Sequence, residues 1–155
     1  MTAIAAVRVR GSMETRTTVE RTLYDLKLTR KNHCIFLKES PSAKGMLLHA
    51  KDFITWGVVD AKTVEELLRR RGESEGGKRL TDEYVAKNSA FKTISELAQA
   101  VAEAKAALKD VKGLKPVLRL SPPRKGFDGT IKLAFPKGAL GNRKEKIGEL
   151  LLRMA

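Results

Sequence analysis

The sequence is poor in most of the groups that perform chemistry. It has one cysteine, two histidines, one tryptophan, two tyrosines and five phenylalanines in 155 residues. A single cysteine excludes an internal disulfide and any cysteine-built zinc site within one chain. Cys34 lies in the apolar run Cys34-Ile35-Phe36-Leu37, where a buried, inert thiol is expected rather than a nucleophile. His33 and His49 are not at a metal-ligand spacing, and edge or surface positions are expected for both. The acidic pairs Glu65-Glu66 and Asp82-Glu83 fall in first helical turns, where carboxylates oppose the helix dipole. No P-loop, no Gly-x-Gly-x-x-Gly and no nucleophile elbow occurs. These absences point away from an enzyme and imply no cofactor and no metal. No apolar run approaches the roughly 20 residues that span a bilayer. Met1-Thr2-Ala3-Ile4 also lacks the basic flank and apolar core of a signal peptide. A soluble cytoplasmic protein is expected.

Acidic residues are the other scarcity. There are 18 Asp and Glu against 31 Lys and Arg, for a net charge of +13 and a pI near 10.1. A small folded protein this basic is expected to meet a polyanion, because each cation held on a phosphate releases condensed counterions. The excess is uneven. Residues 1–60 hold ten basic and six acidic side chains, and residues 61–112 hold eleven and nine. Residues 113–146 hold nine and two, a net of +7 in a stretch rich in Gly and Pro.

Ala3–Val9 reads as a strand, with Ile4, Ala6, Arg8 and Arg10 on one face. Thr17-Thr18-Val19-Glu20 has the form of a capping box ahead of a stripe of Val19, Leu23 and Leu26. A second strand follows over His33–Leu37. Ser40-Pro41 opens a second helix, Ser as cap and Pro in the first turn. Phe53–Val59 gives a third strand. The first sixty residues thus predict a compact β-α-β-α-β unit, with both helices free to cover one sheet face. Thr63-Val64-Glu65-Glu66 reads as another capping box, on a helix that Gly72 stops after Arg69-Arg70-Arg71. Asp82–Asn88 predicts a short helix, and Thr93 caps a longer one running to Leu108. Val117–Leu120 predicts a short strand and Ser121–Gly141 an extended, irregular stretch. Asn142 is placed as the cap of a terminal helix with the stripe Ile147, Leu150, Leu151 and Met154. The fold class expected is α+β. Residues 1–60 form the core unit, and residues 61–155 add helices, a basic loop over about 113–146 and the terminal helix, packed on that unit.

The residue pattern that carries function is cationic. In Ser121–Gly138, Arg124, Lys125, Lys132 and Lys137 are interleaved with Phe127, Phe135 and glycines. Glycine lets a backbone approach a polyphosphate closely, and an aromatic ring can stack on an unpaired base. The two phenylalanines could equally anchor the segment to its own core. In the early unit the candidates are Arg8, Arg10, Arg16, Arg30, Lys31, Lys44 and Lys51. Trp56, beside Gly57, is a candidate for stacking on a base, with core packing as the alternative. Arg119, Arg143 and Lys144 complete the set.

Together these segments resemble the L-thirty family of large-subunit ribosomal proteins, in its longer archaeal form. The resemblance rests on Val7-Arg8-Val9-Arg10-Gly11, Leu28-Thr29-Arg30-Lys31-Asn32-His33-Cys34, Gly45-Met46-Leu47 and Thr55-Trp56-Gly57. It continues through Ser121-Pro122-Pro123-Arg124, Lys132, Leu140-Gly141-Asn142-Arg143 and Leu150–Met154. It implies a ferredoxin-like β-α-β-α-β core with a helical addition and a basic loop. It also implies binding to large-subunit rRNA with 5S rRNA nearby, neighbouring ribosomal proteins as partners, and no catalysis. Ser121 and Ala139 stand where the family would be expected to carry histidine and a second glycine. Two other readings remain at this stage. One is a free-standing RNA-binding protein or RNA chaperone acting off the ribosome. The other is a nucleotide-modifying enzyme without a recognised motif.

Overall fold

The computed structural model describes residues 3–13 and 15–155. The early unit is built as expected, from β1 (Ala3–Arg8), α1 (Thr17–Asp25), β2 (His33–Lys38), α2 (Pro41–His49) and β3 (Ile54–Val58). After it come α3 (Ala61–Arg71), α4 (Asp82–Asn88), α5 (Ile94–Ala102), β4 (Leu118–Arg119), β5 (Thr130–Ala134), β6 (Gly138–Asn142) and α6 (Ile147–Met154). The strands form one sheet in the order β4-β2-β1-β3-β6-β5. β1 is central and antiparallel to both neighbours, with Val7 opposite Cys34 and Arg8 opposite Ile54.

Every residue of β1 is buried, because layers cover the sheet on both faces. Ile4 and Ala6 face α1 and α2, packing with Leu23, Leu26, Leu28, Leu47, Ile54 and Trp56. Ala3, Ala5 and Val7 face the opposite layer, where α3, α5 and α6 supply Leu67, Leu68, Leu97, Leu150 and Leu151. Three alanines in the central strand let both layers approach closely, so packing stays dense without large side chains. Cys34 is fully buried in that second layer, and burial pushes its thiol up to about 12. Among the described residues no helix is long and apolar enough to cross a membrane.

Several local expectations need correction. α1 begins at Thr17 with Arg16 at the cap position and no side-chain cap bond. α3 begins at Ala61 after Asp60, so Thr63 sits inside the helix, buried, rather than capping it. α5 is capped by Thr93, whose hydroxyl accepts from the Glu96 amide at 3.2 Å. It stops at Ala102, however, where Ala104 turns left-handed, and Leu108 packs from a separate 3₁₀ turn. The largest difference is Ser121–Gly141, read as irregular. It contains β5 and β6, and β6 pairs in parallel beside β3, with Thr55 opposite Gly141. Ala139 and Leu140 are buried there. The open edge of β3 and its apolar neighbours supply the pairing energy that the segment's own composition does not advertise. Asn142 does not cap α6, which begins at Ile147 after Lys146; its Oδ1 instead accepts from the Lys144 amide at 2.9 Å, at the start of a 3₁₀ turn over Lys144–Lys146 that leads into the helix.

Candidate nucleic-acid interface

Strand direction decides where the cations go. Because β1 runs antiparallel to β2 and β3, its carboxyl end meets their amino ends. β4 is antiparallel to β2, pairing Arg119 with His33, so its carboxyl end arrives there too. β6 is parallel to β3 and starts from the same side. One end of the sheet therefore collects Arg10 after β1, Arg30 and Lys31 before β2, Lys51 before β3, and Arg119 at the close of β4. Lys137, just ahead of β6, joins them.

The segment bearing Arg124 and Lys125 is tied to the same end. Its Ser121 and Arg124 amides donate to the carbonyls of Met154 and Arg153 at 2.9 and 3.0 Å. A turn follows, closed by the Gly126 amide on the Pro123 carbonyl at 3.0 Å, with Lys125 and Gly126 both left-handed. Phe127 then packs against Val9, Ala139 and Leu140. It is a half-buried anchor for the turn rather than a free stacking platform.

These side chains differ in availability. Arg16, Arg30, Lys31, Lys51, Arg119, Arg124, Lys125, Lys132, Lys137 and Lys144 are exposed, and among the described residues none of them takes part in an ion pair. Arg10 is half-buried, its guanidinium 5.2 Å from the Phe53 ring centroid and donating to the Asp52 carbonyl at 3.3 Å. Lys31 lies across Gly11, where a Cβ would meet its Cε at 2.9 Å. That glycine keeps room for the lysine stem.

Three candidates lie inside the molecule instead. Arg8 is 2 % exposed; its Nη1 donates to the carbonyls of Leu28 and Thr29, both at 2.8 Å, and its Nε to Arg10 at 2.9 Å. It cannot also reach a phosphate, and it serves to order the strands and turn that carry Arg10, Arg30 and Lys31. Arg8 follows the alternation of Ile4 and Ala6, which puts it under α1. Trp56 is buried in the α1–α2 layer and is unavailable to a base. Arg143 is 2 % exposed, held by Asp128 at 3.3 Å and lying 5.3 Å from the Phe135 ring centroid. Burial lowers the pKa of both arginines, with Glu20 opposing that for Arg8 and Asp128 for Arg143.

The remaining cations are scattered. Lys44 sits in the first half of α2 and pairs with Glu39 at 2.6 Å. Lys132 is on β5 at the sheet's outer edge, and Lys144 follows β6 at the opposite end. Arg16 precedes α1 on the connection leaving β1.

The sequence reading missed Lys27, Lys115 and the field at His33. Burial lowers the His33 pKa, and Arg119, Arg30 and Arg8 lower it further. A histidine next to Arg30-Lys31 was visible as a signal, but Arg119 joins only through the β2–β4 pairing.

Residues 4–54 match the family model described as ribosomal protein L30p/L7e, a span covering β1 to the start of β3. The large ribosomal subunit protein uL30 of Methanocella arvoryzae is 48% identical over 150 residues, covering 97% of this chain and 98% of the relative. This chain belongs to the uL30 family. The uL30 proteins of Archaeoglobus fulgidus and Methanosphaera stadtmanae are each 45% identical over 150 residues, again covering 97% of this chain. Similarity to archaeal uL30 thus runs through the helical addition and the basic tail as well as the core. These relatives are named as ribosomal proteins, not enzymes.

Proposed function

We propose that this chain is a structural constituent of the large ribosomal subunit, binding rRNA mainly through phosphate contacts made by the basic end of its sheet. One observation carries the reading: four chain segments converge there and bring Arg10, Arg30, Lys31, Lys51 and Arg119 onto one surface, none of them ion-paired among the described residues. Such cations gain by replacing the counterions of a polyphosphate. They position folded RNA by its shape, since phosphate contacts carry no base sequence. Arg124, Lys125 and Lys137 extend the same surface, while Arg16 and Lys132 lie towards its margins and Lys44 and Lys144 lie at the opposite end of the sheet. The family and the absence of any assembled catalytic constellation in the sequence support a role in the ribosome, in the cytoplasm, without a small-molecule substrate. Proximity to 5S rRNA and contact with neighbouring ribosomal proteins belong to the same proposal, on the strength of the family resemblance. So does the division into a core of residues 1–60 and an addition of residues 61–155 laid upon it.

Sedimentation of cell extract tests the reading against a free-standing RNA chaperone. The chain is expected to travel with large subunits after a high-salt wash. Recovery only in the light fractions would favour action off the ribosome.

A further inference from the structure

Beside the basic end, between the close of α1 and β4, the surface opens into a groove of about 560 Å³. Its lining combines three kinds of group. Tyr24 stands at the rim with 70% of its surface exposed, a large ring left in water on the last turn of α1. Pro116 and Val117 form an apolar wall, with Val117 packed onto the α1–α2 core. Lys27, Lys115 and Arg119 bring positive charge, and Asp25 is the one carboxylate among the lining residues.

The polar edge is ordered. Lys27 is left-handed, its amide donating to the Tyr24 carbonyl at 2.8 Å, which fixes where its side chain leaves the backbone. The His33 Nδ1 lies 3.5 Å from the Thr29 hydroxyl. Lys115 is already held by Glu73 at 3.0 Å; among the described residues Lys27 and Arg119 form no ion pair, Arg119 feeling the same Glu73 only at longer range, and both can meet an incoming anion.

A flat exposed ring, an apolar wall, a hydrogen-bonding edge and two cations together match one class of ligand. A phosphate alone has no use for Tyr24 or Val117, and an apolar peptide would leave Lys27 and Arg119 unanswered. An unpaired nucleotide uses all four, through its base faces, its base edge and its phosphate. The volume is in the range of pockets that enclose small ligands. We propose that this groove takes a single unstacked nucleotide of rRNA, with Tyr24 stacking on the base and Lys27 and Arg119 holding its phosphate. This rests on the rRNA-binding role proposed above and adds a base-contacting pocket to a surface otherwise read as phosphate-directed.

The test compares wild type with Tyr24→Ala and Tyr24→Phe. The probes are a single-stranded oligoribonucleotide carrying one 2-aminopurine and a perfect duplex of the same length. Base–aromatic stacking predicts that Tyr24→Ala loses about tenfold in single-strand affinity. It should also lose the 2-aminopurine fluorescence quenching, while Tyr24→Phe keeps both. Duplex affinity and the salt slope should not change, because no phosphate contact is removed. Tyr24 is exposed, so thermal unfolding should be unaltered. Salt-dependent binding that is the same in wild type and Tyr24→Ala would overturn the pocket and leave the phosphate surface standing. Equal losses on single strand and duplex would overturn it too. Absence of any salt-dependent RNA binding by the wild type would remove the role on which it rests.

Discussion

The early unit and the late segment are both basic, but they use their charge differently. Residues 113–146 carry a net of +7, and residues 1–60 a net of +4. Yet the late segment spends Lys115 on Glu73 and Arg143 on Asp128, and it sends Lys144 to the far end of the sheet. The early unit buries Arg8 as a brace and presents Arg10, Arg30, Lys31 and Lys51 together. Strand direction, more than net charge, sets how much positive surface each region offers.

Charge removal should separate the two regions most visibly. Replacing Arg10, Arg30, Lys31 and Arg119 by Gln is expected to weaken binding to an rRNA fragment by on the order of a hundredfold at fixed salt. Replacing Arg124, Lys125, Lys132 and Lys137 should weaken it less, since Lys132 lies on the outer edge strand. Filter binding of both variants checks the order. A reversed order would move the recognition surface to the tail.

Stability separates the braces from the contacts. Arg8→Gln should cost about 2 kcal/mol or more in urea unfolding, because it leaves buried carbonyls without their charged donor. Arg10→Gln, half-buried on Phe53, should cost under about 1 kcal/mol. Equal effects would mean that Arg8 is not the structural member of the pair.

Docking of the late segment on the early sheet has its own probe. A Cβ at Gly57 would stand 2.0 Å from the Lys144 carbonyl and 2.9 Å from Ile147 Cγ2. Backbone must move to admit it, so Gly57→Ala should destabilise by about 1–3 kcal/mol, seen as a lower urea midpoint. No loss would mean that the 143–147 turn is free to lift away.

The smallest effect concerns Asp128. The hydrogen bond from Arg153 holds its carboxyl below the ordinary range, with Arg143 adding to this. A depressed acid pKa contributes stability that is complete above the unfolded value near 3.8 and is lost as pH falls through the folded value. The side chain is 58% exposed, so the contribution should stay under about 0.5 kcal/mol. Comparing Asp128→Asn with wild type by thermal unfolding at pH 7 and pH 2 should show a small gap that closes in acid.

Periodicity made the early unit legible. Alternation in Ala3–Val9 and the Ser40-Pro41 cap sit where the structure has β1 and the start of α2, and Thr93 caps α5. The capping boxes at Thr17 and Thr63 misled, because a cap needs extended backbone at that residue and the helices had already begun. β6 was hidden because Gly138-Ala139-Leu140-Gly141 has little strand propensity and is recruited by the open edge of β3. At the site, the cations themselves were legible but their exposure was not. Arg8 and Arg10 share a strand face in sequence, and only the packing of α1 buries one and leaves the other half in water. The Tyr24 groove was invisible for the same reason, since it joins residues 24–33 to residues 115–119.

The proposed phosphate-binding surface, assembled by strand topology, is read out by the salt dependence of RNA affinity. Log affinity of the purified chain for an rRNA fragment, plotted against log salt, should fall with a slope of about four or steeper. Each of Arg10, Arg30, Lys31 and Arg119 replaced singly by Gln should flatten that slope by roughly one or slightly less. A flat response, or a slope that these four replacements leave unchanged, would contradict the account.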